Sequence, residues 1–573
     1  MKGKMQAMAD VLEELRAAGE APEWMGDEGY RTLLGGYLLS GETPRQMYSR
    51  VAAAAAAHYS DSSKWGQKFF EAMWSNWLCA ASPVLSNMGT TRGLPISCNS
   101  ISVADSVHSI FTKNLELAML SKNGAGVGIY LGDVRGRGAA IKGNGKSEGV
   151  IPWAKIYDTT TVAVSQGSTR RGASALYLPI DHPDIDEFIN IRRPTGDVNR
   201  RCLNTNHGVC ISDDWMQKLI AGDEAKRRLW AELLKARVEM GEPYFMFTDA
   251  ANRANPACYK QNNLSVKTSN ICSEIFLHTD EDHSFVCCLS SLNLVRWDEW
   301  KDTDLVATAV RFLDAVIEEY IQKSAGLSGL EASRASAIKG RAIGIGVLGW
   351  HTLLQERMIP FDSFDAMRLN GEVFKTIREA AEAETAVLAE ELGEPEWCRG
   401  FGRRNTHLMA VAPTVSNSTI SGGYSAGIEP ISANIFSQKS AKGTFIRKNG
   451  TLEAALERLG RNTPDVWKSI NEYAGSVQHL DFLDEQHKRV FQTAREINQH
   501  AIVRQAGQRQ RYIDQGQSVN LFFASNSSPQ YIHDVHIAAW ELGLKSLYYL
   551  RTEGVIRGDL ASRSRDECLA CEG

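Results

Sequence analysis

The residues with the clearest chemical potential lie at 269–275, Ser-Asn-Ile-Cys-Ser-Glu-Ile. In an extended or tightly looped backbone Asn270, Cys272 and Glu274 project to one side, because alternate side chains share a face. An amide, a thiol and a carboxylate on one face make a catalytic set. The same letters also fit a turn around a packed cysteine that serves as a small hydrophobe. Further cysteines bear on the choice: Cys98 follows Pro95-Ile96-Ser97, and Cys287 opens Cys-Cys-Leu-Ser-Ser-Leu-Asn-Leu at the start of an apolar, strand-like run. Cys568-Leu-Ala-Cys571 closes the chain, and Lys545-Ser-Leu-Tyr548-Tyr549 precedes it. Alone, the terminal pair would also suit half a zinc site, but no second Cys or His pair with finger spacing lies nearby. Alone, two adjacent aromatics in a β-run would suit core packing.

Taken in order, Asn-x-Cys-x-Glu, Cys-x-Leu-Ser-Ser-Leu-Asn-Leu, Lys-Ser-Leu-Tyr-Tyr and the terminal cysteine pair resemble the large (alpha) subunit of class I ribonucleotide reductase. The resemblance runs from about Ala21 to the end of the chain. It implies replacement of the ribose 2'-hydroxyl of a ribonucleoside diphosphate by hydrogen. Cys272 matches the thiyl position that takes the 3'-hydrogen, Glu274 the base toward the 3'-hydroxyl, and Asn270 the residue that holds the sugar hydroxyls. Cys98 and Cys287 match the reducing dithiol, which requires their Cα atoms to lie within about 7 Å. Cys288, next in line, is expected on the opposite face as a packed thiol. Cys568 and Cys571 match a tail pair that re-reduces the buried disulfide and passes the oxidation to thioredoxin or glutaredoxin. Tyr548 and Tyr549 match the radical relay to a separate beta subunit that carries a metal-based oxidant, so no catalytic metal is expected in this chain.

Two nucleotide sites are implied. Pro413, Thr414, Val415, Ser416 and Asn417 follow an apolar run and lead into an expected helix, and hydroxyls with free N–H groups at a helix start suit a diphosphate. Ser97 and Gly126 match further substrate contacts. Asp105, Arg135 and Lys142 resemble the residues that hold an allosteric deoxynucleoside triphosphate or ATP, and Gln166 and Arg170 fall in the loop that relays effector identity. The chain starts almost directly in its helical region, without the ATP-binding cone that opens many relatives, so inhibition by dATP through such a cone is not expected.

The elements that must position these groups follow from composition and periodicity. The 573 residues are 43% hydrophobic and 23% charged, which excludes a disordered, collagen-like or small disulfide-stapled protein. With 63 basic and 68 acidic residues the net charge is -5, and no basic excess points to nucleic acid. No window approaches the roughly 20 apolar residues that span a bilayer. The mixed-charge N-terminus is unlike a signal peptide, and eleven scattered cysteines, an odd number, suit reduced thiols. A cytoplasmic protein is expected.

Helical spacing covers Met8 to Cys79, with Glu42-Thr43-Pro44 as a start signal. Nine β-like runs then alternate with helical stretches, at 126–131, 173–178, 208–211, 244–247, 285–294, 342–348, 408–412, 519–523 and 546–550. This predicts a mainly parallel α/β sheet or barrel, and the resemblance supplies a ten-stranded α/β barrel with Cys272 on a central finger loop. The expected organisation is a helical region at 1–80, the barrel with its specificity site at 81–552, and a flexible redox-active tail at 553–573. A homodimer is compatible with it. Two other readings remain: an adenosylcobalamin-dependent (class II) reductase, which the tyrosine pair disfavours, and a catalytically silent nucleotide-binding regulator, which would not need all five cysteines.

Overall fold

The computed structural model describes residues 2–164, 172–440 and 443–552, with the backbone alone for 2–8 and 437–446. Four helices come first, Lys2–Ala17, Asp27–Leu34, Pro44–Ala56 and Ser62–Trp74. The start signal works as read: the Thr43 side chain accepts from the Gln46 N–H (3.2 Å), Gln46 accepts from the Thr43 N–H (3.0 Å), and Pro44 takes the first helical position. Small residues Ala52, Ala55 and Ala56 are buried on this helix, which allows close approach to its neighbours. Phe69 on the next helix meets Phe312 of the long helix Leu305–Ser324 edge-on at 5.4 Å, joining the helical region to the layer around the sheet.

Among the described residues thirteen strands follow: β1 (Leu78–Ala80), β2 (Cys98–Ser102), β3 (Gly126–Tyr130), β4 (Ala173–Pro179), β5 (Asn206–Ile211), β6 (Tyr244–Phe247), β7 (Phe285–Asn293), β8 (Ile343–Leu348), β9 (Ile435–Ser440), β10 (Gly443–Lys448), β11 (Leu521–Phe522), β12 (Ser546–Leu547) and β13 (Leu550–Arg551). β2 to β6 form one parallel run, and β7 pairs in parallel with β8. The expectation of a mainly parallel sheet holds within these halves. It fails at two seams of the wall, where β2 meets β7 and β6 meets β12 in antiparallel pairing, and the short β1 also lies antiparallel to β7.

The ring continues through two segments that make only short ladders. Met409 bridges Ile345 of β8, Val411 bridges Gln517, and Tyr548 donates its N–H to Val519 O (2.8 Å). With these segments, 408–412 and 516–523, the barrel wall comprises ten stretches of chain. Among the described residues no helix is long and apolar enough to cross a membrane.

Periodicity missed three features. β1 lies at the end of the stretch expected to be helical and pairs with the far end of β7. The β9–β10 hairpin was not anticipated. β2, Cys-Asn-Ser-Ile-Ser, is buried at every position, so a run that lacks apolar alternation still forms a wall strand. Its polar atoms are partly satisfied inside, as where Ser100 Oγ donates to Gly128 O (2.9 Å).

Candidate active site

The loop 268–276 lies inside the ring, and glycines make room for it. A Cβ on Gly128 of β3 would sit 1.9 Å from the Ser269 carbonyl oxygen, and one on Gly126 would sit 2.6 Å from Ile271 Cγ2. Only residues without a side chain fit between this loop and β3. Hydrogen bonds from several walls then fix it. Tyr177 of β4 donates to Asn270 O (2.6 Å), Gly516 N–H to Glu274 O (2.8 Å), Ser518 Oγ to Cys272 O (2.6 Å) and Ser546 Oγ of β12 to Ser273 O (2.6 Å). Ser273 adopts a left-handed backbone, φ 63°, a conformation that costs of order 1 kcal/mol for a residue with a side chain and persists where the surroundings over-determine it.

Asn270, Cys272 and Glu274 are all buried on this loop. The Asn270 Oδ1 accepts from the N–H groups of Glu274 (3.1 Å) and Ile275 (3.2 Å), while its Nδ2, beside the Glu274 carboxyl, has no partner at full hydrogen-bond geometry. A buried donor left without a partner costs free energy and suits a ligand oxygen. Burial pushes the Glu274 carboxyl up to about 7, against the opposing contacts of the Asn270 amide and of Ser518 Oγ (3.2 Å). The group therefore exchanges a proton near neutrality, as a general base requires.

Cys98 of β2 and Cys287 of β7 are direct cross-strand partners at one antiparallel seam. Both are buried and unbridged, and Cys98 also lies beside Gly126 in the β2–β3 ladder. Burial raises the Cys287 thiol well above its usual range. Gln515 ties it to the loop: Nε2 donates to Cys287 Sγ (3.3 Å) and to Ile343 O (2.9 Å), and Oε1 accepts from the Phe276 N–H (3.3 Å). Cys288 points the other way and donates to Leu313 O (3.3 Å) in the helical layer.

On the opposite side of the loop, the Tyr548 hydroxyl and the Cys272 thiol are hydrogen-bonding neighbours. The Tyr548 and Tyr549 rings are 4.3 Å apart between centroids, and Tyr244 of β6 completes the cluster at 4.7 and 5.0 Å from them. Asn206 Nδ2 donates to the hydroxyls of Tyr549 (2.8 Å) and Tyr244. Burial pushes Tyr548 well up and Tyr549 up to about 12, so each phenol keeps its proton unless it is oxidised. Sequence reasoning missed Tyr244, Asn206, Gln515 and Ser518, which no local spacing connects to the loop.

Thr414 precedes the short helix Val415–Ile420 with a left-handed backbone, φ 58°, and its Oγ1 accepts from the Gly427 N–H (2.7 Å). Asn417 is engaged by the wall, donating to Ala80 O (3.2 Å). Ser416 is buried, Val415 is exposed, and Pro413 follows the wall segment 408–412. Ser97 is buried and its carbonyl accepts from the Gly126 N–H (2.8 Å), so Ser97, Gly126 and Cys98 form one patch. At another face, Asp105 and Arg135 form an ion pair (2.7 Å), and Lys142 is exposed on the loop that follows. Gln166, Arg170, Cys568 and Cys571 lie outside the described residues.

Comparison with known proteins gives consistent matches. The family model described as ribonucleotide reductase, barrel domain, matches residues 96–226, 220–401 and 396–550, and that described as the all-alpha domain matches 24–93. The putative ribonucleoside-diphosphate reductase large subunit of Frog virus 3 is 41% identical over 520 residues, covering 87% of this chain and 90% of that protein. The ribonucleoside-diphosphate reductase large subunit of Invertebrate iridescent virus 3 is 34% identical over 95% of this chain and 98% of its own length. Among solved structures, the class Id ribonucleotide reductase alpha subunit of Actinobacillus ureae superposes with a TM-score of 0.86 at 41% identity, covering 93% of this chain and 98% of that one.

Proposed function

The chain belongs to the ribonucleotide reductase large-subunit family, and from that premise we infer that it is the alpha subunit of a class I ribonucleoside-diphosphate reductase. It reduces ribonucleotides to 2'-deoxyribonucleotides. The adenosylcobalamin-dependent alternative gains no support, since the similar solved structure is a class Id alpha subunit. A class I alpha subunit works with a beta subunit, whose oxidant supplies the one-electron oxidation.

We assign the roles within this chain as follows. Cys272, oxidised to a thiyl radical, takes the 3'-hydrogen of the ribose, while Glu274 accepts the 3'-hydroxyl proton and the Asn270 Nδ2 beside it binds a sugar hydroxyl. The 2'-hydroxyl leaves as water. Cys98 and Cys287 provide two electrons and two protons as they close to a disulfide, and Cys272 returns the hydrogen atom to C3'. The single observation that carries this reading is the convergence on one buried loop: Tyr548 meets Cys272 on one side, and Gln515 couples Phe276 to Cys287 on the other.

The remaining roles are proposed on the same footing. Tyr549 and Tyr548 relay the radical inward, and residues 413–417 with Ser97 and Gly126 hold the substrate. Asp105, Arg135, Lys142, Gln166 and Arg170 bind and relay a nucleotide effector. Cys568 and Cys571 carry reducing equivalents from thioredoxin or glutaredoxin, as expected for a cytoplasmic enzyme, and a homodimer is compatible with this reading. The decisive experiment is conversion of CDP to dCDP by the purified chain with its beta subunit and a dithiol. Cys272→Ser should abolish conversion while CDP binding persists, and turnover by that variant would end the assignment.

A further inference from the structure

We propose that His278, Asp280 and His283 form a binding site for a divalent transition-metal ion, best matched to zinc, on the turn between the finger loop and β7. The reductase chemistry assigned above makes no use of these residues. Three potential ligand atoms, one from each side chain, lie within 4.8 Å of one another. Two edges of that triangle are short: His278 Nε2 is 2.9 Å from Asp280 Oδ2, and His283 Nδ1 is 3.0 Å from Asp280 Oδ1. Ligand atoms about 2.1 Å from a shared tetrahedral ion would be roughly 3.4 Å apart, so a small opening of these contacts admits the ion.

The surroundings orient the donors. His278 Nδ1 lies 2.9 Å from Ser265 O and 3.2 Å from Ser265 N; in the tautomer that donates Nδ1–H to that carbonyl, the outer hydrogen bond that metal-bound imidazoles commonly make, Nε2 is the ligand atom once an ion takes the place of its contact with Asp280. The turn is pinned before any ion arrives. Asp280 N–H donates to His283 O (2.9 Å), and Asp280 Oδ1 accepts from the N–H groups of Asp282 (2.9 Å) and His283 (2.7 Å). Trp397 walls the inner side, with its ring 6.1 Å from His278 and 5.4 Å from His283. The Asp280 side chain is 42% exposed against 10% and 18% for the histidines, so the outer side is open to an arriving ion and to water as a further ligand. Two neutral imidazoles and one carboxylate leave a net negative charge that a dication balances, and an N₂O donor set without thiolate suits zinc and its neighbours better than calcium or magnesium.

An ion here would steady the chain between Ile275, at the end of the finger loop, and Cys287. The test uses the full chain, reduced and stripped of metal, titrated with Co²⁺. We expect visible bands of four- or five-coordinate cobalt without near-ultraviolet sulfur-to-cobalt charge transfer, and loss of those bands on adding Zn²⁺. Asp280→Asn and His283→Ala should each weaken Co²⁺ binding by more than roughly tenfold and abolish the rise in thermal midpoint that Zn²⁺ gives the unsubstituted chain, with CDP reduction retained. If His283→Ala fails to fold, Asp280→Asn and the unsubstituted chain's spectrum still decide. No visible bands, a spectrum dominated by thiolate charge transfer, or equal affinity in the variants would overturn the site.

Discussion

Cys98 and Cys287 face each other across the seam where β2 meets β7. Directly opposed residues in an antiparallel pair have Cα atoms about 4.5–5.5 Å apart, inside the range a disulfide spans. Closing the bond therefore demands rotation of two side chains and no movement of a strand. With CDP and the beta subunit but no external dithiol, product formation should halt, and peptide mapping should then find Cys98 linked to Cys287. A bond from Cys98 to Cys288 instead would contradict the strand geometry, in which Cys288 donates to Leu313 O on the outer side.

Glu274 should govern the acid limb of the rate profile. Its carboxyl titrates near 7 because burial disfavours the charge, so kcat/KM should climb as pH rises through that value. Glu274→Gln should lower the rate roughly 10²- to 10⁴-fold and remove the limb.

The same carboxyl couples stability to pH with the opposite sign. Its ordinary value of 4.5 moves to about 7 on folding, so the protonated form favours the native state, and that contribution is full below 4.5 and lost as pH rises through 7. The loss amounts to about 3 kcal/mol for this buried group. Urea unfolding of Glu274→Gln should lack this part of the pH dependence; identical curves for the two proteins would show that the carboxyl titrates normally.

Gly128→Ala should dislodge the finger loop. The added methyl would land 1.9 Å from a backbone oxygen of Ser269, which no rotamer change can relieve. We expect destabilisation of about 1–3 kcal/mol or more, together with loss of CDP reduction. Retention of both stability and activity would mean that the loop sits elsewhere.

Tyr548→Phe and Tyr549→Phe should each abolish steady turnover while leaving CDP affinity within about twofold, since a phenyl ring fills the same space but has no O–H to oxidise. Binding is followed by calorimetry. Turnover in either variant would remove that residue from the relay.

How far the sequence speaks depends on whether a group's partners are local. The start of the helix at Pro44 was legible because its capping residues are three apart. The wall strands from β3 to β8 were legible because they are apolar runs. β2 was not, since Cys-Asn-Ser-Ile-Ser is buried without being apolar, although Cys98 within it was singled out by its motif. The proximity of Asn270, Cys272 and Glu274 was expected from alternation or a tight loop. It is the tight loop that the structure has, with Ser273 left-handed and the Asn270 amide folded back on the Glu274 N–H. Gln515 and Tyr244 carry no such signal, because their partners stand 239 and 304 residues away in Phe276 and Tyr548.

The reversals of strand direction have an electrical consequence. One seam holds the dithiol at Cys98 and Cys287, the other adjoins Tyr548 and Tyr549, and the finger loop stands between them. On the roles proposed above, an arriving hole and the electron pair would be held in separate apolar clusters, the dithiol packed with Ile275 and the tyrosines with Ile271 and Phe276. On those roles, a sugar ring seated beside Cys272 would be the link that lets one cluster discharge into the other.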